Sequence, residues 1–581
     1  MQKVQKLTRH FRTARFSSLN TSPEISQNLI SQWVSNGNIP FPYSIQHRVN
    51  YSIPNDSTTV RVRIERGRQE ETHNLEISSL KGILSKISIP NLSCTNLTRA
   101  LPSPPPPLVI EYSSPNIAKP LHMGHLRSTL TGKYVSRISK FAGHDIKSIT
   151  FLGDWGTQFG VLHLGIMNKW DKSIPFKEFL HNLNLHQLLN TYVESSKECE
   201  ASPETSRTSA LAYSAELERN FGEDNDANAV WKHTRNLTVS HLKTCYDKLG
   251  IQFDEYEAES MYRMGCEATV QALDVLRKTN LLETREDGSA FIRLSEETIV
   301  TVLKRDNSSV YLLRDIACGL SRSHRYPDHS HVYVVDAGQG NHFRNLFKIL
   351  NTIVDKGNEA DPKMPFKKYN HVQFGRVTGM STRSGDYVLL DDVINEGRKL
   401  MHERRLKSRN VRNEHDVDVS EELAISGLII HALKMRKTKD YAFDWDSALT
   451  SSGNSGVALQ YSLARVRSLN ERVTCGVQLS IEEVLEVLVS HANTHMLQLV
   501  VCLLNFEDVF WRSYLTLEPC VLVSYAFTLH DRVSRAYSSV KLLDNDDKNL
   551  VAACLWVFNT SNNIMKNTLN IIGMEIINKG F

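Results

Sequence analysis

The chain has no CxxC pair, no GxxxxGK[ST] or GxGxxG phosphate loop, no HExxH motif and no apolar run fit to cross a bilayer. Its longest apolar stretch near the C-terminus, 497–504, contains Gln498 and is less than half of the roughly 20 residues a membrane span needs. A soluble chain that makes no use of a membrane is therefore expected. The nine cysteines, at 94, 199, 245, 266, 318, 475, 502, 520 and 554, are scattered. An odd, dispersed set in a large chain reads as free thiols in a reducing compartment, which argues against a disulfide framework. What is present is ordinary globular composition, 41% hydrophobic and 23% charged over 581 residues, enough for three or four domains.

The net charge of +4 says little about partners, because Lys3, Lys6, Arg9, Arg12 and Arg15 account for more than all of it. That segment, with Ser17 and Ser18 and no acid before Glu24, has the basic, acid-poor character of a mitochondrial transit peptide over 1–22 and lacks the apolar core of a secretory signal. A frayed basic N-terminus is the plainer alternative.

Val60, Val62 and Ile64 alternate with Arg61, Arg63 and Glu65, so residues 23–101 are read as a small α+β domain containing this half-buried strand. Pro102 and the run 104–107 form a stiff spacer that marks the first junction. Beyond it, the apolar run 108–113 predicts a strand. Leu126, Leu130, Tyr134, Ile138 and Phe141 mark one face of a helix ended by Gly143, and 146–152 predicts a second strand. Strand, helix and strand in this order imply a parallel sheet. The pattern returns with HVYVVD (331–336), a helix face of Phe343, Leu346, Phe347, Leu350 and Ile353, and one further strand through Val372, Phe374 and Val377. A doubly wound domain over 108–454 is expected, with a polar helical insertion at about 165–300. Helical spacing then dominates 455–581, as in Ile481, Val484, Leu485 and Leu488, and predicts an all-α domain.

Ligands of a parallel sheet sit at the carboxyl ends of its strands, beside a helix N-terminus. The segment 113–125, SSPNIAKPLHMGH, lies there. His122 and His125 flank Gly124, with Lys119 upstream, and such donors can follow charge developing on a phosphate. At this composition an HxGH string arises by chance about 0.04 times. A metal pair is the rival reading, although no third ligand completes a zinc set. Tyr311 and Asp315, four apart, share a helix face; read alone, they are a core tyrosine and a surface or capping acid. The stretch 398–412 has seven Lys/Arg against the single acid Glu403. It suits either nucleic-acid phosphates or a solvated helix face. From Gly456 onward 10 Lys/Arg face 12 Asp/Glu, so composition gives no sign that the helical domain binds nucleic acid.

EYSSPN (111–116) with 117–125, then LGDWGTQFG (152–160), YLLRD (311–315), QGNH (339–342), GRVTGMSTRSGD (375–386) and LQYSLARVRS (459–468), resemble in order the motifs of class I arginyl-tRNA synthetases, nearest the mitochondrial members. The resemblance implies a Rossmann-like catalytic domain of the class I synthetase type, a tRNA-contacting N-terminal domain and an anticodon-binding helical domain. It implies a monomer in the mitochondrial matrix that uses ATP with Mg²⁺ to join L-arginine to tRNA(Arg), with no metal held by the protein. By the same resemblance His122, His125 and Lys119 are catalytic, and His122, Gly124, His125, Met380, Ser381 and Arg383 bind ATP. Glu111, Ser114, Pro115, Asn116, His125, Tyr311, Asp315 and Gln339 bind arginine. The family's KMSKS loop is represented by Gly379, Met380, Ser381, Thr382 and Arg383, with both lysines missing, and Lys119 is expected to compensate. A catalytically silent tRNA- or RNA-binding relative, or an HxGH nucleotidyltransferase acting on another carboxylate, stand as alternatives.

Overall fold

A computed structural model of the chain describes residues 47–52, 59–66, 69–76, 105–117, 123–305, 308–354, 368–378, 390–407, 418–491, 493–543 and 545–578. The expected transit peptide, Lys119, Met380, Ser381 and Arg383 lie outside them, as does most of 23–101. His122 falls in the same gap as Lys119, and the side chains of Met123 and Gly124 also lie outside the description.

Strands β1 (His47–Ser52), β2 (Thr59–Arg66) and β3 (Gln69–Glu76) form an antiparallel sheet in sequence order. The alternating segment is β2, and its Val60 is fully buried.

The parallel-sheet unit opens with β4 (Leu108–Glu111), every residue of which is buried, as a central parallel strand requires. Helix α1 (Met123–Phe141) and β5 (Ile146–Leu152) follow. Next come α2 (Thr157–Lys169), α3 (Phe176–His181), α4 (Leu185–Ala201), α5 (Ser206–Arg219) and α6 (Asp226–Lys248). The chain then re-enters the sheet as β6 (Glu255–Ala258), passes through α7 (Glu267–Lys278), and makes an antiparallel sheet of β7 (Leu282–Thr284), β8 (Ala290–Arg293) and β9 (Ile299–Leu303). Helix α8 (Tyr311–Arg325), β10 (Ser330–Asp336), α9 (Gly340–Val354) and β11 (Tyr369–Phe374) complete the unit. The main sheet has the order β11-β10-β4-β5-β6, and every pair in it is parallel. Strand order reverses at β4, between β5 and β10, which opens a crevice at their carboxyl ends.

Short β12 (Val377–Thr378), α10 (Leu390–Leu406), α11 (Ser420–Leu433), β13 (Tyr441–Ala442) and α12 (Trp445–Leu449) lead to the C-terminal unit. From Gly456 on, the regular elements among the described residues are all helices: α13 (Gly456–Arg472), α14 (Ile481–Ser490), α15 (Thr494–Leu504), α16 (Phe506–Thr516), α17 (Pro519–Ser539) and α18 (Lys548–Ile572). No helix among the described residues is long and apolar enough to cross a membrane.

Two sequence expectations change. The unbroken run of helices ends at Lys248, and β6, α7 and the β7–β9 sheet occupy the rest of the expected range. The strand β6 reads EYEA, too acidic to look buried, but Glu257 is taken inside by an ion pair with Arg322. Val372, Phe374 and Val377 belong to two strands, because Gly375 breaks away to donate its N–H to the Lys437 carbonyl, and β12 pairs with β13. A Cβ on Gly375 would lie 2.6 Å from Asp440 Oδ1 and 2.7 Å from the Thr438 carbonyl.

Helix α1 is buried well beyond its predicted face. Leu126, Leu130, Tyr134 and Ile138 are in the core as the spacing predicts, yet Arg127, Thr131, Lys133 and Ser139 are buried too. The reason is that the C-terminal helices pack on α1: the Tyr134 hydroxyl is 2.7 Å from Ser513 Oγ, and Lys133 donates to the Gly573 carbonyl at 2.6 Å. Tyr514 and Tyr525 are core residues, bonded to His144 Nε2 and the Cys502 carbonyl.

Gly132 packs α1 directly onto the residue after β4: a Cβ there would lie 2.2 Å from Tyr112 Cβ. Gly132→Ala is expected to lose about 1–3 kcal/mol or more of stability by overpacking, measured by denaturant unfolding.

Candidate active site

The carboxyl end of β4 runs into a tight turn. Ser113 and Ser114 both have positive φ, 69° and 39°, a conformation that non-glycine residues hold only where surroundings impose it. The surroundings do so: Ser113 Oγ lies 2.7 Å from Thr129 Oγ1 and 2.8 Å from the Tyr246 hydroxyl, and Thr129 Oγ1 donates to the His125 carbonyl at 2.7 Å. Ser114 Oγ donates to Glu111 Oε1 and accepts from the Phe151 N–H, both at 3.2 Å. The Gly153 N–H donates to the Pro115 carbonyl, and Asn116, exposed, bridges to Gly153. The turn after β4, the start of α1 and the end of β5 are thus one hydrogen-bonded unit.

The GDWG turn after β5 is a support. Asp154 is fully buried and accepts from the Ser260 N–H and hydroxyl, each at 2.8 Å, and from Arg235 Nε at 2.9 Å. It thereby holds the exit of β6 and helix α6 to the sheet edge.

Tyr311 and Asp315 lie one turn apart at the start of α8, and His342, in the first turn of α9, joins them. His342 Nε2 is 2.7 Å from Asp315 Oδ2, and its ring centroid is 4.9 Å from that of Tyr311. Tyr311 is 57% exposed, unusual for so large a ring, so it is not the core tyrosine that its position alone suggests. Gln339 is exposed on the 3-10 turn after β10, three residues before His342.

Glu259, not singled out by the sequence, follows β6. Burial, aided by the charges of Asp315 and Asp154 and only partly offset by Arg314, pushes its carboxyl up to about 7. Arg314 Nε stands 3.9 Å away. The sequence signal was weak, a lone acid in a run of acids at 255–259.

Glu111 is buried with both oxygens engaged: Oε2 is 2.5 Å from Arg322 Nη1, and Oε1 accepts from Ser114. Arg322 also meets Glu257 at 2.8 Å, and Arg325 pairs with the same carboxylate. Burial raises the Glu257 carboxyl, but the two arginines outweigh it and hold it below its ordinary value.

The basic stretch is partly consumed by structure. Arg405 is buried against Asp418 and Ser420, Arg404 pairs with Asp446, and Arg398 lies 3.8 Å from Asp418. Lys399 and Lys407 are exposed, while Arg409 and Arg412 lie outside the described residues.

Residues 103–445 match the family described as tRNA synthetases class I (R), catalytic domain, and 459–579 match the DALR anticodon binding domain. The chain belongs to the class I arginyl-tRNA synthetases. It is 32% identical over 478 residues to the probable mitochondrial arginine–tRNA ligase of Bos taurus, covering 80% of this chain and 77% of that protein. It is 30% identical over 488 residues to the mitochondrial arginine–tRNA ligase of Saccharomyces cerevisiae, covering 81% of this chain and 72% of that one. The crystal structure of arginyl-tRNA synthetase from Plasmodium falciparum superposes with a TM-score of 0.71 at 23% identity, over 95% of this chain and 98% of that one, so the synthetase shares its fold.

In this synthetase the edge of the sheet depends on Arg322. Arg322→Met leaves the buried Glu111 without a cation and Glu257 with Arg325 alone, and is expected to cost about 3–5 kcal/mol near neutral pH. Glu257, depressed in the native protein, stabilises the fold above its unfolded pKa, and that stability is lost as pH falls. In the variant the uncompensated acids take up protons instead, so the gap to the parent should narrow toward acid pH in unfolding curves.

Proposed function

We propose that the chain is an arginine–tRNA ligase of mitochondrial translation, working in the matrix as a monomer. Family membership supports the reaction class, with ATP, arginine and tRNA as reactants. The observation that carries the amino-acid assignment is the cluster of Asp315 and Glu259 beside Tyr311. A guanidinium is costly to desolvate without carboxylates, and this cluster offers two, with a phenol exposed above them.

In the first step a carboxylate oxygen of arginine attacks the α-phosphorus of ATP. The bond to the bridging oxygen breaks, pyrophosphate leaves with that electron pair, and arginyl-adenylate remains. His122 and His125, with Lys119, donate to the oxygens on which charge builds, while Gly124 leaves room for the nucleotide. Met380, Ser381 and Arg383 hold the pyrophosphate side, Arg383 and Lys119 standing in for the missing lysines. This is positioning and electrostatic stabilisation, with no covalent enzyme intermediate. Mg²⁺ is assigned to the nucleotide, entering as MgATP. In the second step a hydroxyl of the terminal ribose of tRNA attacks the adenylate carbonyl and AMP leaves.

For arginine itself, Ser114, Pro115, Asn116, His125 and Gln339 hold the head group. Tyr311 and Asp315 meet the guanidinium, with His342 orienting Asp315. Glu111 is reassigned: with both oxygens occupied, it positions Ser114 and Arg322, and Glu259 supplies the second carboxylate. The N-terminal unit is assigned to tRNA contact and the α13–α18 unit to the anticodon.

Aminoacylation of mitochondrial tRNA with MgATP, offering arginine against lysine, glutamine and citrulline, tests this reading: charging with arginine alone is expected. His125→Ala should lower adenylate formation by about 10²–10³-fold and leave tRNA affinity nearly unchanged; unchanged turnover would overturn the assigned site. Because a bound guanidinium favours the ionised form of Glu259, which titrates at about 7, the arginine KM should fall as pH rises from about 6 to about 8. Glu259→Gln should raise that KM and flatten its pH dependence.

A further inference from the structure

Arg127 stands on α1 two residues after His125 and is 1% exposed. Buried arginines are ordinarily met by carboxylates, as Arg322 is. Arg127 spends its guanidinium on main-chain carbonyls: Nη1 donates to Gly375 at 2.8 Å and Arg376 at 3.3 Å, and Nη2 donates to Arg436 at 3.1 Å. Its outer face lies 4.8 Å from the centroid of the Tyr441 ring.

The backbone it grips is held from the other side as well. Gly375 donates its N–H to the Lys437 carbonyl at 2.8 Å, the Arg376 N–H bonds Asp440 Oδ1 at 2.6 Å, and the Tyr441 N–H bonds the Arg376 carbonyl at 3.1 Å. Lys437 in turn belongs to the helical domain's contact. Its N–H and Nζ both bond the Glu518 carboxylate, at 3.0 and 2.9 Å, and Nζ reaches the Thr516 carbonyl at 2.9 Å. Glu518 immediately precedes α17. A single hydrogen-bonded path therefore runs from α1 through Arg127, Gly375 and Lys437 to Glu518. Gly375 and Arg376 lead in sequence toward 379–383.

We infer that Arg127 is a positioning residue for adenylate formation: it fixes the Gly375–Arg376 backbone relative to His125, and the Lys437–Glu518 pair ties the same backbone to the helical domain. This rests on the assignment of His125 and 379–383 to ATP made above. The path predicts that damage at Glu518, far from the nucleotide in sequence, is felt in the first chemical step.

The test uses the full chain in arginine-dependent ATP–pyrophosphate exchange with tRNA present, beside melting temperature and tRNA binding. Arg127→Lys keeps the charge but cannot span three carbonyls; it should lower kcat about tenfold or more and raise the ATP KM, while arginine KM and tRNA affinity stay within about twofold. Glu518→Gln should give a smaller loss of the same kind, about threefold, and the double variant should lose less than the product of the two, because they act through one path. A folded Arg127→Lys with parental kcat and ATP KM, a multiplicative double variant, or equal losses in every constant would overturn the inference. If Arg127→Lys fails to fold, Glu518→Gln decides alone, a selective loss of kcat supporting the path and parental kinetics overturning it. A parent with no arginine-dependent exchange overturns the activity reading and this inference together, whereas an active parent with unaffected variants overturns the inference only.

Discussion

The guanidinium of Arg322, buried between Glu111 and Glu257, is the interaction on which the rest of the site depends. It joins β4 and β6, two apart in the sheet, to α8, the helix that presents Tyr311 and Asp315. An isolated buried charge of this kind is prohibitively costly, and it is tolerated because Arg322 donates through Nη1 to Glu111 and through Nε to Glu257, while Ser114 and Arg325 meet the remaining carboxylate oxygens. The protein thus contains, inside its own core, the same recognition chemistry that the proposed function asks of its pocket: a guanidinium read by carboxylates. The two differ in access. Arg322 is sealed by Phe151 and Tyr333 on its faces, while Tyr311 is exposed and Asp315 is half-buried beside His342.

From this fixed frame the strained turn at Ser113 and Ser114 becomes understandable. Glu111 anchors Ser114, Thr129 and Tyr246 anchor Ser113, and the positive φ angles are the outcome of being held from three elements at once. The same network ends on the His125 carbonyl. Position of the helix start and position of the residues assigned to the head group are therefore not independent, which suits a reaction that relies on alignment of two substrates more than on a reactive side chain.

Helix α1 serves as the common wall of the synthetase. One side faces the sheet; the other takes the C-terminal helices, with the buried cations Arg127 and Lys133 donating to carbonyls from distant parts of the chain. Cations bonded to carbonyls, with their charge desolvated, are sensitive to small displacements of backbone, so the helix that carries His125 is mechanically continuous with the domain assigned to the anticodon.

Much of this was legible before any coordinates. The β4–α1–β5 unit, the HVYVVD strand and the helical C-terminal domain follow from apolar spacing, because those elements bury contiguous apolar faces. The order of the HxGH, YLLRD and QGNH segments is written in the chain and was enough to bring the family and reaction class into view. Tertiary structure decided the rest, and for one recurring reason: burial of polar groups is paid for by partners remote in sequence. The strand β6 looked like acidic loop until Arg322 met Glu257. Glu111 looked like a substrate ligand until that arginine and Ser114 occupied it, and Glu259 was an unremarkable acid until folding set it beside Asp315 and Asp154. Tyr311 read alone as a core tyrosine and is 57% exposed, because hydrophobic pattern cannot tell a packed ring from a presented one. Spacing along the chain encodes which faces are apolar; only the fold decides which charges meet.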